Sequence, residues 1–255
     1  MQRMPFSYSK KTQRGVALFV VIVFVMLSML LALWASRTSL FNEMVVGNDA
    51  DYQRAFEAAQ ALLQDAELDI RGENADGSSC TGSNDACRTA TAEKIPLEAK
   101  DVGPLLSMLT DQDPAATART TEMKSTLCGH GLCAKRADKQ DFWNDSATLA
   151  LMTTQSVGAR YGQYTGAAAG SSDKPANPIL SDTSANNRGG WYWIEVLPYD
   201  ESSKTSGLIV GNTNNLLPLN LTPSVVYRIT ALAYGRKPST IVVLQQTYAQ
   251  QKRKD

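Results

Sequence analysis

The sequence predicts an α+β fold in which a long N-terminal helix packs on a C-terminal antiparallel β-sheet. Two patterns carry this prediction. Residues 16–70 contain no proline and a single glycine, Gly47, so little in this stretch forces a helix to end. Three runs rich in β-branched and aromatic residues then occur between residues 191 and 248.

Charge and length limit the classes of function. The chain has 255 residues, enough for one globular domain with an extended element or for two small domains. Its 25 Lys and Arg residues balance 25 Asp and Glu residues, so we expect no nucleic-acid partner. The balance fails locally, because the first 14 residues carry four basic side chains and no acidic one: Arg3, Lys10, Lys11 and Arg14.

Residues 16–36 form an apolar segment without a charged side chain. At about 1.5 Å per residue this segment spans about 30 Å, the thickness of the hydrocarbon core of a bilayer. A buried core helix of this length without a charge is unusual, so we predict a membrane-spanning helix. The basic residues before the segment place the N-terminus in the cytoplasm and the rest of the chain across the membrane.

An ordinary secretory signal peptide is the first alternative for this segment. The apolar part of such a peptide has about 7–15 residues and ends at a cleavage site with small residues. Here the run is longer, and Leu33-Trp34-Ala35 is a poor site because Trp34 is bulky. The cleavage signal lies instead before the run, at Arg14-Gly15. We therefore expect the apolar segment to be retained.

Residues 37–71 continue the helical pattern beyond the apolar segment. Strong helix formers dominate residues 52–70, and Arg71 followed by Gly72 is a typical helix end. An amphipathic stripe of apolar residues at spacings of three and four is expected to pack on the sheet: Tyr52, Phe56, Ala59, Leu63, Ala66 and Ile70.

Residues 72–255 are predicted to form the globular domain, in the periplasm or outside the cell. The first part of this domain is polar and rich in Gly, Ser and Asn, as loops are. Short helical pieces are expected near residues 104–110 and 142–152, and a polar loop over residues 174–190.

The C-terminal sheet is expected within residues 191–248. In its second run, apolar residues alternate with Arg228 and Thr230, the pattern of a strand with one buried face. A turn at residues 235–239 joins the last two runs as a hairpin. The three predicted strands are residues 191–197, 224–234 and 240–248.

Several features together resemble the type IV pilin family. A short basic leader, residues 1–15, ends in a glycine directly before the apolar segment. Residues 54–62, Arg-Ala-Phe-Glu-Ala-Ala-Gln-Ala-Leu, resemble the segment characteristic of PilX-type minor pilins. Residues 227–231 and 242–248 resemble the closing hairpin of the same type. The resemblance implies a pilin-like lollipop of long helix and globular head; a single-pass anchor with a helical stalk is the alternative.

The resemblance also implies a maturation route. A prepilin peptidase would cut after Gly15 and methylate the new amine of Val16, with Arg14 and the basic leader orienting the substrate. The mature subunit would wait in the inner membrane as a single-pass protein with a cytoplasmic N-terminus. On assembly its apolar helix would exchange lipid for neighbouring helices of the filament.

One position departs from the pilin pattern in an informative way. Major pilins have a glutamate at the fifth mature position, which pairs with the N-terminal amine of a neighbouring subunit. Counting Val16 as first, the fifth residue here is Val20, and the position of the usual helix-bending proline is Arg37. Within the family, loss of that glutamate marks the subunit at the filament tip.

The resemblance therefore implies a minor pilin of the tip complex that primes pilus assembly. Its implied partners are other minor pilins, the major pilin, the prepilin peptidase, the inner-membrane assembly platform and a large tip adhesin.

Four cysteines occur as two close pairs, Cys80 with Cys87 and Cys128 with Cys133. In an exported domain an even number of cysteines indicates disulfides. Three pairings are possible, and local pairing is favoured because each pair closes a short polar loop. Zinc is the alternative, but the spacing of these pairs fits a zinc site poorly. We expect neither a metal nor another cofactor.

No enzyme signature accompanies the single histidine, His130. The sequence has no G-x-S-x-G elbow, phosphate-binding loop or dinucleotide fingerprint, so we predict that the protein is not an enzyme. Two alternatives stay open. A tip pseudopilin of a type II secretion system also lacks the glutamate, whereas a membrane-tethered periplasmic enzyme or sensor would keep an uncleaved N-terminus.

Overall fold

The structure is a computed structural model that describes residues 14–80, 86–88, 94–96, 99–109, 120–135, 140–171, 173–198 and 225–249. The leader before Arg14, Thr110 and the basic C-terminal tail lie outside the described residues. The chain divides into two compact units, Met1–Asp49 and Ala50–Asp255.

Helix α1 runs from Arg14 to Arg71 without a break, including Gly47. Among the described residues it is the one helix long and apolar enough to cross a membrane. The helix ends at Gly72, whose φ of +64° lies in the left-handed region that glycine adopts without strain. The N–H of Gly72 donates to the carbonyl of Asp69 at 3.1 Å, and the N–H of Glu73 donates to Leu68 at 3.0 Å. These two bonds satisfy carbonyls that the helix end would otherwise leave free.

Three shorter helices follow α1 in the described part of the chain. They are α2, Ala99–Leu109; α3, Thr121–Thr126; and α4, Ser146–Met152. A 3₁₀ turn at Phe142–Asn144 precedes α4. The hydroxyl of Thr120 caps α3 and the carboxylate of Asp145 caps α4, each accepting from a backbone N–H of the first turn.

Five strands form one sheet in the order β1-β2-β3-β4-β5. All neighbouring pairs are antiparallel except β2 and β3, which are parallel. The long helix and the mostly antiparallel C-terminal sheet confirm the predicted α+β fold. The strands are β1, Cys128–Gly129; β2, Leu132–Ala134; β3, Gly190–Pro198; β4, Val225–Tyr234; and β5, Ile241–Tyr248.

Both faces of the central strands are covered. Tyr192 and Ile194 of β3 belong to the hydrophobic cluster that includes the second half of α1. Trp191 and Trp193 point to the other face and join a second cluster with Phe142 and residues of α3 and α4. Side chains alternate along a strand, so a strand covered on both faces is apolar at successive positions.

The expectation that β4 has one buried face is therefore wrong. From Ile229 to Tyr234 every side chain of this strand is buried. Arg228 is half-buried, and it donates from Nε to the carboxylate of Glu195, its partner across the β3–β4 pair, at 2.8 Å. The alternation in the sequence was misleading, because Arg228 bonds to Glu195 and the hydroxyl of Thr230 accepts from the side-chain amide of Gln245 at 2.9 Å, so both polar side chains have protein partners.

Candidate assembly site

The first half of α1 presents an apolar surface with no partner among the described residues of the chain. Every side chain from residue 16 to residue 46 is exposed, including Phe19 at 68% and Trp34 at 74%. The hydroxyl of Ser28 donates back to the carbonyl of Phe24 at 2.9 Å, so its polar hydrogen is satisfied inside the helix. Such a surface suits lipid or other apolar helices, because neither supplies hydrogen-bond partners.

The predicted processing residues lie in the first turn of this helix. Arg14 is its first residue, followed by Gly15 and by Val16, whose side chain is 67% exposed. Val20 lies one turn further, with an exposed apolar side chain. The first acidic residue after Gly15 is Glu43, which lies 27 residues after Val16 in the sequence. The apolar segment thus offers no acid to a neighbouring amine.

Arg37 lies inside the helix with an exposed side chain. The helix is continuous through this position, where the family resemblance places a helix-bending proline. An arginine keeps its backbone N–H, so the hydrogen bond that a proline would remove is retained.

The second half of α1 uses one face to join the globular unit. Among the six residues predicted to form this stripe, Ala59, Ala66 and Ile70 are buried. Phe56 and Leu63 are partly buried at the edge of the same cluster, whereas Tyr52 is 47% exposed and lies outside it. The buried face is rotated toward residues that the apolar pattern omitted, namely three aspartates, two alanines and one leucine: Asp51, Ala55, Ala58, Leu62, Asp65 and Asp69.

Asp51 holds the turn between β4 and β5. Its carboxylate accepts hydrogen bonds from the backbone N–H of Arg236 at 2.9 Å and of Lys237 at 3.1 Å. A Cβ at Gly235 would lie 2.4 Å from the carboxylate, so glycine permits this approach. Burial acts to raise the pKa of Asp51, but the hydrogen bonds from Thr240, Lys237 and Arg236 outweigh it and lower the pKa below the usual value.

Asp65 holds a loop that precedes β3. Its carboxylate accepts from the N–H of Gly162 at 2.7 Å and from the hydroxyl of Thr165. Burial raises the pKa of Asp65 to about 6, and the negative charge of Asp69 acts in the same direction. The hydrogen bonds from Thr165 and Gly162 oppose this rise without cancelling it.

Asp69 forms an ion pair with Arg88 inside the globular unit. Arg88 donates from Nε and Nη2 to the two carboxylate oxygens, each at 2.8 Å, and the side chains are only 5% and 1% exposed. The hydroxyl of Tyr192 donates to the same carboxylate at 2.9 Å. Arg88 also donates to the carbonyl of His130 at 2.9 Å and stacks 3.7 Å above the ring of Tyr164. Charge and hydrogen bonds satisfy the carboxylate, whereas Nη1 of Arg88 is buried without a hydrogen-bond partner among the described residues.

The cysteines are paired locally in the structure, Cys80 with Cys87 and Cys128 with Cys133. The first bridge directly precedes Arg88 in the chain. The second joins residues that face each other across β1 and β2. His130 lies in the turn between these strands, where its backbone N–H donates to Ser156 at 2.8 Å. Over the described residues, no three His, Cys, Asp or Glu side chains are grouped as a metal site would require.

Sequence reasoning missed the three aspartates, although a signal for them exists. Asp51, Asp65 and Asp69 are separated by 14 and 4 residues, close to whole turns of an α-helix, so they share one face. That face also contains the alanines Ala55, Ala58 and Ala66. Acids repeated on an alanine-rich face indicate a polar contact surface, but an apolar-periodicity search counts them as solvent-facing.

Two family models match the chain. Residues 14–64 match the PilX N-terminal family, and residues 129–250 match the type IV pilus assembly protein PilX C-terminal family. Together the matches take in about two thirds of the chain and contain α1 as far as Gln64 and all of β3, β4 and β5. No curated protein and no solved structure matches the chain significantly.

Both matches describe a structural component of the pilus, and neither favours a secretion pseudopilin or a tethered enzyme. Family membership implies contacts with other pilus components, and the N-terminal apolar helix fits a membrane-anchored pilin. The predicted resemblance is confirmed at both ends of the chain: this protein belongs to the PilX family and is a minor pilin of a type IV pilus.

Proposed function

We propose that this minor pilin belongs to the tip complex that primes pilus assembly. The observation that carries the proposal is Val20, an exposed apolar residue on the first turns of α1 where shaft subunits have a glutamate. A carboxylate inside the apolar core is costly unless it is paired, so a subunit that lacks it has nothing to offer the amine of a subunit above. Such a subunit is suited to the first position of the filament.

Maturation follows from the position of Gly15. Prepilin peptidase removes the leader, residues 1–15, and methylates the amine of Val16. The apolar segment then remains in the mature protein, first as a single inner-membrane span with a cytoplasmic N-terminus and later in the pilus. The uninterrupted helix and its exposed apolar side chains support this route, because the same surface suits lipid and neighbouring helices.

The partners follow from the same route. Before assembly they are the prepilin peptidase and the inner-membrane assembly platform. At the tip they are other minor pilins, the major pilin below and a large adhesin that the complex presents at the cell surface. The protein acts in this complex as a structural subunit and not as an enzyme.

Blocking the processing site tests the route. Replacing Gly15→Leu should leave the full-length precursor in the membrane, because a bulky residue blocks access to the cleaved bond. Surface pili should fall at least tenfold, measured by shearing and immunoblotting. Ser39→Leu, an exposed change on the same helix, is the matched control and should be processed normally. Normal processing and piliation in Gly15→Leu would remove the proposal.

The tip position has its own test. An epitope tag on the native chain should place gold label at one end of sheared pili, with few copies per filament. Label distributed along the shaft would contradict the tip assignment while leaving the chain a minor pilin.

A further inference from the structure

Arg88 joins three segments of the globular unit through one buried guanidinium. It binds Asp69 of α1, donates to the carbonyl of His130 in the turn between β1 and β2, and stacks on the ring of Tyr164. Its Nη1 is nevertheless buried without a hydrogen-bond partner among the described residues. Burial of an ion is costly when some of its N–H donors stay unsatisfied, so in its site Arg88 has lost hydration that the protein does not fully replace.

A covalent anchor lies one residue before Arg88. Cys87 is bonded to Cys80, and the backbone N–H of Cys80 donates to the carbonyl of Gly72 at 3.0 Å. Gly72 directly follows the last residue of α1 and lies three residues after Asp69 in the sequence. The disulfide therefore brings the chain back to the end of the helix that carries the carboxylate partner of Arg88.

The next anchor after Arg88 in the described part of the chain is farther away in sequence. Ile95, seven residues later, is 6% exposed, and the carbonyl of Pro96 accepts from the hydroxyl of Tyr227 at 2.8 Å. The disulfide closes a loop with a sequence separation of 7. By the loop-closure estimate, such a bridge reduces the population of states in which Arg88 has left its site by at most roughly 50-fold.

The two disulfides differ in their access to solvent. Cys80 and Cys87 are half-buried, whereas Cys128 and Cys133 are 0% and 2% exposed. A reductant must reach a sulfur atom in order to attack it. The first bridge should therefore open under conditions in which the globular unit stays folded and the second bridge stays closed.

We propose that the Cys80–Cys87 bridge is a redox-sensitive latch on the buried ion pair. The closed bridge confines Arg88 to its site on Asp69, and the open bridge lets the guanidinium leave for water. Closing the bridge oxidises two thiols: a sulfur–sulfur bond forms, and two electrons and two protons pass to a disulfide-bearing oxidant of the thiol–disulfide exchange class, which becomes a dithiol. Completion of this buried contact thus depends on the redox state of the compartment that holds the globular unit.

Chemical labelling of arginine tests the latch. The full-length chain in detergent is treated with a phosphine reductant, the freed thiols are capped with N-ethylmaleimide, and both reagents are removed. Phenylglyoxal then modifies guanidinium groups that are open to solvent, and mass spectrometry reads both the capped cysteines and the labelling rate of each arginine. When the Cys80–Cys87 bridge opens, the labelling rate of Arg88 should rise by about tenfold or more, because this rate follows the population of the open state.

Arg160 is the internal control for general loosening of the fold. It also stacks on an aromatic ring, 3.6 Å above Trp191, and it donates to the carbonyl of Ala185 at 2.9 Å. These contacts do not involve a bridged segment, so the labelling rate of Arg160 should stay unchanged when the latch opens.

Two variants give the same test without a reductant. Cys80→Ser/Cys87→Ser removes the latch and should raise the labelling rate of Arg88 as reduction does. Cys128→Ala/Cys133→Ala is the matched control. The turn between β1 and β2 is also held by backbone bonds, from His130 to Ser156 and from Gly131 to Val157, so Arg88 should keep its native rate in this variant.

Two results would overturn the proposal. An unchanged labelling rate of Arg88 after the Cys80–Cys87 bridge opens would show that the side-chain contacts hold it without the latch. An equal rise at Arg160, or an equal rise of Arg88 in the control variant, would show a general loosening of the fold. The rates are measured on unassembled protein, so they stand or fall separately from the tip assignment.

Discussion

Between residues 16 and 46 helix α1 exposes large apolar side chains, whereas between residues 51 and 70 it buries alanines and aspartates. The two halves have the same backbone conformation and opposite surfaces. Within the first half, residues 16–36 have no charged group to fix their partners, so this segment can exchange one apolar neighbour for another. The second half is bonded to named donors on three segments of one fold. Stability of the subunit should depend on the second half, and assembly on the first.

The largest effect is expected at the buried ion pair. Asp69→Ala leaves the guanidinium of Arg88 buried without a carboxylate, which should lower the free energy of unfolding by about 3–5 kcal/mol. Chemical denaturation of the full chain in detergent measures this loss. Asp69→Ala/Arg88→Met removes both charges and should recover much of it. A loss below about 1 kcal/mol in the single variant would show that the pair is not buried in solution.

A pair of leucines compares the two halves of α1 directly. Leu62→Ala removes a fully buried side chain and should lower the free energy of unfolding by about 2–4 kcal/mol. Leu30→Ala, at a position 63% exposed in the first half, should change it by less than about 0.5 kcal/mol. Urea denaturation of both variants gives the comparison. Equal losses would mean that the first half also packs within the subunit.

Asp65 should make stability depend on pH. Its pKa is about 6 in the folded protein against an ordinary value of 3.8, so the folded state holds this proton more tightly than the unfolded state does. Folding is therefore favoured by this group at low pH and penalised as pH rises from about 4 to about 6. Asp65→Asn removes the penalty, so its stability relative to the native protein should rise by about 2–3 kcal/mol between pH 4 and pH 7.

Asp51→Asn is the control of opposite sign. The pKa of Asp51 is lowered in the folded protein, so its contribution to stability is present above its unfolded pKa and is lost as pH falls through the folded value. Its asparagine variant should therefore lose stability relative to the native protein as pH rises. Denaturation midpoints at several pH values check both signs. Parallel pH profiles for the two variants would contradict the assigned environments.

The smallest effect is expected at Tyr52, because the apolar pattern predicts a buried side chain there and the structure shows an exposed one. Tyr52 belongs to the predicted stripe but is 47% exposed, so Tyr52→Ala should change the free energy of unfolding by less than about 0.5 kcal/mol. A buried aromatic residue would cost about 3–5 kcal/mol instead. Thermal unfolding of this variant is enough to separate the two values. A loss of about 3–5 kcal/mol in the free energy of unfolding would show that Tyr52 is buried, as the apolar pattern predicts.

The long helix and the sheet were predictable because each has a local signal. The proline-free run and the glycine at position 72 predict the helix and its end, and β-branched runs predict β3, β4 and β5. The two short strands β1 and β2 have no such signal, because they form by pairing with each other and, for β2, with β3, which is distant in sequence. The buried face of α1 was predicted only in part. Asp65 and Asp69 are read as surface residues until their partners at Gly162 and Arg88, distant in sequence, are known.

The central claim is that the apolar segment stays in the mature protein and carries it into the pilus. Intact-mass and N-terminal analysis of the chain from sheared pili tests this claim most directly. The account predicts a mature protein that begins at Val16 with a methylated amine. A chain that begins beyond Trp34, or one recovered only as a soluble protein apart from any filament, would contradict it.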